Sequence, residues 1–570
     1  MSNKELAKAF KLTAQLMELH DENPFKIRSI QNAAFKLERH PVPIEKLSVD
    51  EIGSIEGVGK GIQAKISDLL ARSSFPEMDE MLEQTPKGVI EMLSIKGIGP
   101  KKVRTLWKEL GIESTGELLY ACNENRLVEL KGFGEKTQAQ IKHAIEYTEA
   151  NQGKYLYAVI EPIATQIFQD LRNSGVLLEC SFTGEFRRKL EIQEKIEMVV
   201  VPEELIELID FLNSHPLIDK ESLESENTTI RVTIAGKLPL ILYTTKKEEF
   251  ASLLFQTTGN EDHLRQLKDN YKLTFTEKAT DETEIYARVQ LPYFEPELRE
   301  GRSEFNMIKN GKIHDLIIEK DLKGILHNHT TYSDCAHTLE EMATYCKELG
   351  FEYLGICDHS KSAFYANGLQ PERILKQHQE IDTLNAKLTP FRIFKGIESD
   401  ILTDGSLDYP EEILKSFEFI VASIHSGLKM DKVKATTRLL RAIENPYTTI
   451  LGHPTGRLIL SREGYPIDHE KIIDACAANG VVLELNANPY RLDLDWRYIP
   501  YALSKNVMIS INPDAHRKEG YHDMHYGVCV ARKGGLNRKM TFNALSRDEV
   551  TKNLLRNVEK QIQFRPKNIR

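Results

Sequence analysis

His327-Asn328-His329-Thr330-Thr331-Tyr332-Ser333-Asp334 follows directly on the apolar run Gly324-Ile325-Leu326. A short apolar run that ends in two histidines reads as a buried strand delivering imidazoles at its C-terminal end. The arrangement recurs along the chain. Tyr353-Cys357 leads to His359, Arg392-Lys395 to Glu398, and Phe417-Ala422 to His425. Thr448-Leu451 leads to His453, Val481-Leu485 to Asn486, and Val507-Ile511 to Asp514 and His516. Asp334 follows the first pair on a loop. Helical stretches separate most of these runs, so residues 322–570 read as an α/β domain with a parallel sheet or barrel. In a β/α barrel, side chains at the C-terminal strand ends gather in one crater.

The nine residues His327, His329, Asp334, His359, Glu398, His425, His453, Asp514 and His516 have the chemistry of metal ligands. Imidazole and carboxylate together favour Zn, Mn or Fe over Ca. A set of this size suits two or three divalent ions. Such ions polarise phosphoryl oxygens and lower the pKa of bound water. The expected nucleophile is therefore a metal-bound hydroxide, with no protein nucleophile. His337, just beyond the first run, reads as a solvated surface residue.

The chain has 570 residues, about four domains at ~150 residues each. Its 41% hydrophobic and 28% charged residues exclude a disordered or collagen-like chain. The net charge of −10 excludes a polycation, so contact with nucleic acid must come from local geometry. Seven scattered cysteines without a CxxC pair read as reduced thiols of a cytoplasmic protein. No apolar run approaches a membrane span.

The first 150 residues read as helical, and one short pattern appears three times within them. Gly57-Val58-Gly59 runs into Ala64 and Ile66, Gly97-Ile98-Gly99-Pro100 into Val103 and Leu106, and Gly132-Phe133-Gly134 into Ala139 and Ile141. Glycine permits the tight turn, and backbone N–H groups at the following helix start can meet a phosphate. Gly57, Gly59, Lys65, Gly97, Gly99, Lys101, Gly132 and Gly134 are the candidate DNA-contacting positions. Contacts of this kind hold the backbone without reading sequence. Residues 155–300 mix helix and strand, with Glu194-Val201 and Thr228-Thr233 as candidate strands. Leu291-Ser303 reads as a linker.

The C-terminal runs, with Gly452-His453-Pro454-Thr455-Gly456-Arg457 and Asp514-Ala515-His516, resemble the PHP (polymerase and histidinol phosphatase) phosphoesterases. The resemblance implies a distorted seven-stranded barrel with a trinuclear site and all nine metal positions filled. Cys335 departs from the family's usual Gly. Arg457 and Arg491 are candidate phosphate contacts or, equally, rim salt bridges. The Gly-apolar-Gly turns resemble helix-hairpin-helix motifs. Together with Pro24-Ala34 and the segment Pro296-Glu297-Leu298-Arg299-Glu300-Gly301-Arg302, their order resembles a bacterial family X DNA polymerase over essentially the whole chain. The implied domains are 1–85 (lyase-like, first hairpin), 86–150 (second and third hairpins), 151–300 (palm and thumb-like), 301–321 (linker) and 322–570 (PHP). Lys65 falls near the family's lyase lysine and is read here as a phosphate contact.

The resemblance breaks at the palm. The family's Gly-Ser turn and three Mg-binding Asp residues correspond to Gly184-Glu185, Lys195, Glu197 and Thr233. Glu185 places a negative charge where a triphosphate would bind, and Lys195 repels Mg, which demands octahedral oxygen ligands. Mg is not expected there. The resulting reading is a DNA-binding, metal-dependent phosphoesterase, a 3′–5′ exonuclease or 3′-end processing enzyme acting in repair on nicked, gapped or single-stranded DNA. The alternatives are an active family X polymerase, a small-molecule phosphatase of the histidinol phosphatase type, and a non-catalytic DNA-binding adaptor.

Overall fold

The computed structural model describes residues 1–40, 42–55, 57–95, 97–128, 130–149, 153–275, 277–309 and 315–554. The expected boundary at 150/151, part of the expected linker (310–314) and the end of the expected barrel domain (555–570) lie outside the described residues. Met1–Tyr147 forms one compact unit and the remainder a second.

The first unit is helical. Ser2 caps the helix Asn3–Leu19 in a capping box with Glu5. Asn23 caps Pro24–Arg39, whose proline sits in the first turn where its missing N–H costs nothing. Leu6, Phe10, Leu16, Ile30, Ala33 and Leu37 bury the facing stripes of this pair.

The second unit opens with β1 (Tyr155–Leu156), β2 (Leu177–Thr183), β3 (Ile192–Gln193), β4 (Ile196–Pro202), β5 (Ile218–Glu226), β6 (Thr229–Ile234) and β7 (Leu238–Thr244). β1 and β3 pair with each other, and the other five form a mixed sheet in the order β2-β4-β7-β6-β5. β4 is buried on both faces and apolar apart from Glu197, which fits its interior place.

The barrel strands are β8 (Gly324–Ile325), β9 (Tyr353–Ile356), β10 (Arg392–Asp400), β11 (Phe419–Ser423), β12 (Ile450–Leu451), β13 (Val482–Asn486) and β14 (Ile509–Asn512). They lie side by side in chain order, and every neighbouring pair is parallel. A bridge between Asn328 and Ala515, with Asp514 N donating to His327 O at 3.1 Å, nearly closes the ring. Strand residues alternate between two apolar clusters. One holds Leu326, Tyr353, Phe394, Phe419, Val421, Ile450 and Val482. The other holds Ile325, Leu354, Ile393, Ile420, Leu451 and Leu483, with residues of the covering helices. The ring of Phe419 requires the glycines beside it. A Cβ at Gly355 or Gly396 would lie 2.5 or 2.4 Å from it.

The segment expected as a linker is packed. Phe294, Leu298 and Arg299 are buried, with Arg299 at 0% exposure. The Glu300 carboxylate accepts from Arg188 Nε at 3.1 Å and Lys533 Nζ at 2.5 Å, tying sheet, segment and barrel helix together. Burying three charges demands this mutual pairing. Its prolines and glycine sit in a packed segment with a short 3₁₀ turn at Pro296–Leu298, not in a free tether.

Candidate metal centre and the two other candidate sites

The strand ends bring the candidate ligands into three overlapping groups: His329, Asp334, His359 and His516; His327, His329, Glu398 and Asp514; and His359, Glu398 and His425. Within each group the ligand atoms lie within 4.8 Å of one another. Glu398 is the hub. Its Oε1 lies 3.3 Å from His327 Nε2, 3.1 Å from His425 Nε2 and 3.0 Å from His453 Nε2. Its Oε2 lies 2.9 Å from His359 Nδ1. His453 stands outside the three groups and reaches the centre through Glu398.

Three histidines are oriented from behind. His327 Nδ1 donates to Glu484 Oε1 at 2.7 Å, His425 Nδ1 to Asp400 Oδ1 at 2.6 Å, and His516 Nδ1 to the Asp514 carbonyl at 3.0 Å. Each bond fixes the proton on Nδ1 and turns the Nε2 lone pair inward. Sequence reading missed Glu484 and Asp400 in this role. Glu484 lies inside the otherwise apolar run Val481-Leu485, and Asp400 stands two residues past the expected ligand on β10. Their only signal is the period of two that places them on the same strand face as Asn486 and Glu398. Asn486 itself donates to Asp514 Oδ2 at 3.0 Å.

The donor set fits cations. Among the described residues His453 Nδ1 is buried without a hydrogen-bond partner, while His327 Nε2 and Glu398 Oε2 face other ligand-type side chains. Burial opposes charge on the imidazoles, yet the carboxylates of Glu484, Asp514 and Glu398 push His327 well up. Asp334 and Glu398 do the same for His359. Burial, reinforced by His516 and His359, holds His329 down to about 3. Burial also opposes charge on Asp334, Glu398 and Asp514, but the surrounding imidazoles hold all three well below the carboxylate range. Ionised carboxylates facing imidazoles that can give up their inward protons could hold divalent metals, which supply Lewis-acid polarisation and water activation.

The two arginines differ. Arg457 donates to Asp495 Oδ2 at 2.6 Å and to the carbonyls of Arg491 and Leu492. It is a rim salt bridge. Arg491 is buried, with Nε 3.8 Å from Asp514 Oδ2, and so faces the centre. His337 takes part outside the cluster, its Nδ1 accepting from Lys518 N at 3.4 Å.

On the central sheet, at the expected palm positions, Lys195 Nζ donates to Glu197 Oε1 at 2.9 Å, and Tyr243 Oη to the same oxygen at 2.6 Å. Burial and the Glu197 charge raise the Glu185 pKa against the pull of Arg188. Thr233 is corrected as the third position. It lies on β6, which β7 separates from β4, and pairs with Pro239 and Asp219. The residues opposite Glu197 on the adjacent strands are Thr183 and Ile241, and neither is a carboxylate. β6 and β7 form a hairpin of similar apolar runs, and only the sheet order shows that β7 borders β4.

The three glycine turns share one geometry. Gly57, Gly97 and Gly132 have φ of +87°, +99° and +87°. Val58, Ile98 and Phe133 each donate to the carbonyl three residues back. A Cβ at any of the six turn glycines would meet no described residue within 4 Å, which fits a backbone open to an approaching phosphate. Lys101 is exposed on the first turn of the helix Pro100–Leu110. Lys65 differs from its expected place at a phosphate. It pairs with Glu77 and lies 5.8 Å from the Phe75 ring centroid.

Residues 1–75 match the helix-hairpin-helix domain family, 89–146 the SAM-like helix-hairpin-helix tandem, and 326–488 the PHP domain. The DNA polymerase/3′-5′ exonuclease PolX of Bacillus subtilis (strain 168) is 33% identical over 574 residues, covering 98% of this chain and 100% of the relative. The chain belongs to the PolX family. Probable phosphatases resemble a smaller part of this PolX-family chain. One from Thermoanaerobacter sp. (strain X514) is 28% identical over 38% of this chain and 88% of its own. Another, from Acetivibrio thermocellus, is 32% identical over 29% of this chain and 65% of its own. Among the described residues no helix is long and apolar enough to cross a membrane.

Proposed function

We propose that this PolX-family chain is a DNA-binding, metal-dependent phosphoesterase that removes nucleotides from 3′ ends, and that its palm does not add them. The gathering of nine ligand-type side chains into one cluster, five of its imidazoles facing Glu398, carries the first part. The pairing of Glu197 with Lys195, and the lack of a carboxylate opposite it, carries the second. Mg demands near-octahedral oxygen ligands, and here an ammonium takes the charge of Glu197 and an apolar side chain the position opposite it.

In this reading residues 1–85 and 86–150 grip the DNA backbone, 151–300 is a palm kept as scaffold, 301–321 connects, and 322–570 holds the nuclease centre. The nine candidate ligands hold two or three Mn, Zn or Fe ions. Arg491 meets the scissile phosphate. Nicked, gapped or single-stranded ends are the substrates, in a cytoplasmic repair setting. Seven free cysteines fit that compartment. The test is digestion of end-labelled DNA by wild type, His327→Ala and Glu398→Ala. Wild type shortens the strand and both variants fail; unchanged variants overturn the assignment. The phosphatase relatives favour a second reading, turnover of small phosphate monoesters. A monoester hydrolysed faster than DNA establishes it.

A further inference from the structure

The loop between β9 and the helix Pro371–Leu388 carries an aromatic residue that the reading above leaves unused. Phe364 is 78% exposed, in a short 3₁₀ turn of residues Phe364–Ala366. Its ring centroid lies 5.8 Å from that of Tyr365, edge to face, and Tyr365 lies 6.4 Å from the ring of the candidate ligand His359. Two ring contacts thus separate Phe364 from the metal centre. Asp334 and His425, the least buried members of the ligand groups, mark the mouth of the site, and the His425 ring lies 5.2 Å from that of His359.

The loop is held on every side. Ser362 Oγ donates to Asp400 Oδ2 at 2.7 Å, the same carboxylate that orients His425. Ser362 N donates to Asp408 Oδ2 at 2.7 Å and Lys361 N to Tyr409 Oη at 3.1 Å. Leu369 N donates to the His359 carbonyl at 2.8 Å, and a Cβ at Gly368 would strike the Ser360 carbonyl at 1.9 Å. Arg373 Nη1 braces Asn367, which has φ of +54°, through its carbonyl at 2.8 Å. Ala363 and Ala366, on either side of the pair, are buried. A braced loop whose small residues point in and whose Phe points out presents that ring to something.

We propose that Phe364 is a stacking platform for a base at the 3′ end of the DNA strand cleaved at the metal centre. The proposal rests on the nuclease reading and names how that site tells a nucleic acid from a bare phosphate ester. A phosphodiester at the cations places the terminal bases one or two nucleotides' reach away, at the mouth where Phe364 stands. Every base has a π face, so an aromatic shelf selects unstacked, single-stranded ends without selecting sequence. Alanine substitution at such a contact weakens binding about tenfold.

The test compares wild type, Phe364→Ala and Phe364→Trp on two end-labelled single strands. One is an ordinary strand, and the other lacks the bases of its last two 3′ nucleotides. Bound metal is counted for each protein. On the ordinary strand, Phe364→Ala raises KM about tenfold at unchanged metal content, while Phe364→Trp stays near wild type. On the base-free end, wild type falls to the level of Phe364→Ala, and the variant loses nothing further. Equal rates for wild type and Phe364→Ala on the ordinary strand overturn the platform and leave the nuclease reading standing. So does an equal loss on both strands, which marks a damaged loop. A wild type that degrades neither strand overturns the nuclease reading, and the platform falls with it.

Discussion

Replacing Glu484 by glutamine keeps the shape of the side chain and removes one acceptor. In the native protein Glu484 Oε1 accepts from His327 Nδ1 at 2.7 Å and Asn512 Nδ2 at 3.0 Å, and Oε2 accepts from His453 N at 2.8 Å. An amide has a single acceptor oxygen. If that oxygen keeps Oε1's place, the NH2 group faces the His453 N–H; flipped, it faces His327 and Asn512. His327 escapes by moving its proton to Nε2, which then points at Glu398 and cannot ligate. Loss of such an orienting partner weakens a metal site about 10–100-fold, or ~1.4–2.7 kcal/mol. The assay is metal content after dialysis against graded chelator, paired with the rate of DNA shortening. Glu484→Gln is expected to lose metal at about 10–100-fold lower chelator strength and to recover its rate in excess Mn. His327→Ala, which lacks the ligand, does not recover. Wild-type metal retention in Glu484→Gln, or recovery of His327→Ala, refutes the reasoning.

Glu282 is held at about 2: burial opposes ionisation, but Arg299 and Arg187 overcome it, the latter with bonds of 2.9 and 2.6 Å. A depressed carboxyl stabilises fully above its unfolded pKa, near 4.5, and loses that contribution as pH falls towards 2. Glu282→Gln therefore unfolds about 3 kcal/mol more easily at pH 7 in urea, with a gap that narrows below pH 4.5; a gap independent of pH contradicts the pairing. Arg491→Ala should lower kcat/KM on DNA about tenfold with little change in urea midpoint, as expected for loss of one charged phosphate contact. Arg457→Ala should do the reverse, and equal effects would place both at the rim. Gly97→Ala, at φ +99°, should cost about 1 kcal/mol of folding and weaken DNA binding while leaving the barrel's metal content intact.

The barrel is legible because each of its strands ends where apolar residues give way to a candidate ligand or, at Asn486, to another polar side chain, and that transition is written locally. Arg392–Asp400 ran longer than its apolar core Arg392-Lys395, since Glu398 and Asp400 continue the strand while turning their side chains to the centre. Glu484 was missed because a buried anion inside an apolar strand has no local partner to announce it; its partners lie 157 and 28 residues away. Thr233 was misplaced for a related reason. Strand order within the sheet is a long-range property, and β6 and β7 carry equally good apolar patterns. The glycine turns were legible as backbone geometry, but the diversion of Lys65 to Glu77 depends on how two helices meet. Arg457 and Arg491 were indistinguishable in sequence and are separated only by the positions of Asp495 and Asp514.

The central claim is that chemistry sits in the barrel and has left the palm. Its most direct test is a primer–template labelled at the primer's 5′ end, incubated with the full chain and Mn, with and without all four nucleotides. The account predicts progressive shortening in both reactions, abolished by Glu398→Ala, and no product longer than the primer. Extension of the primer when nucleotides are added, or shortening that persists in Glu398→Ala, would contradict it.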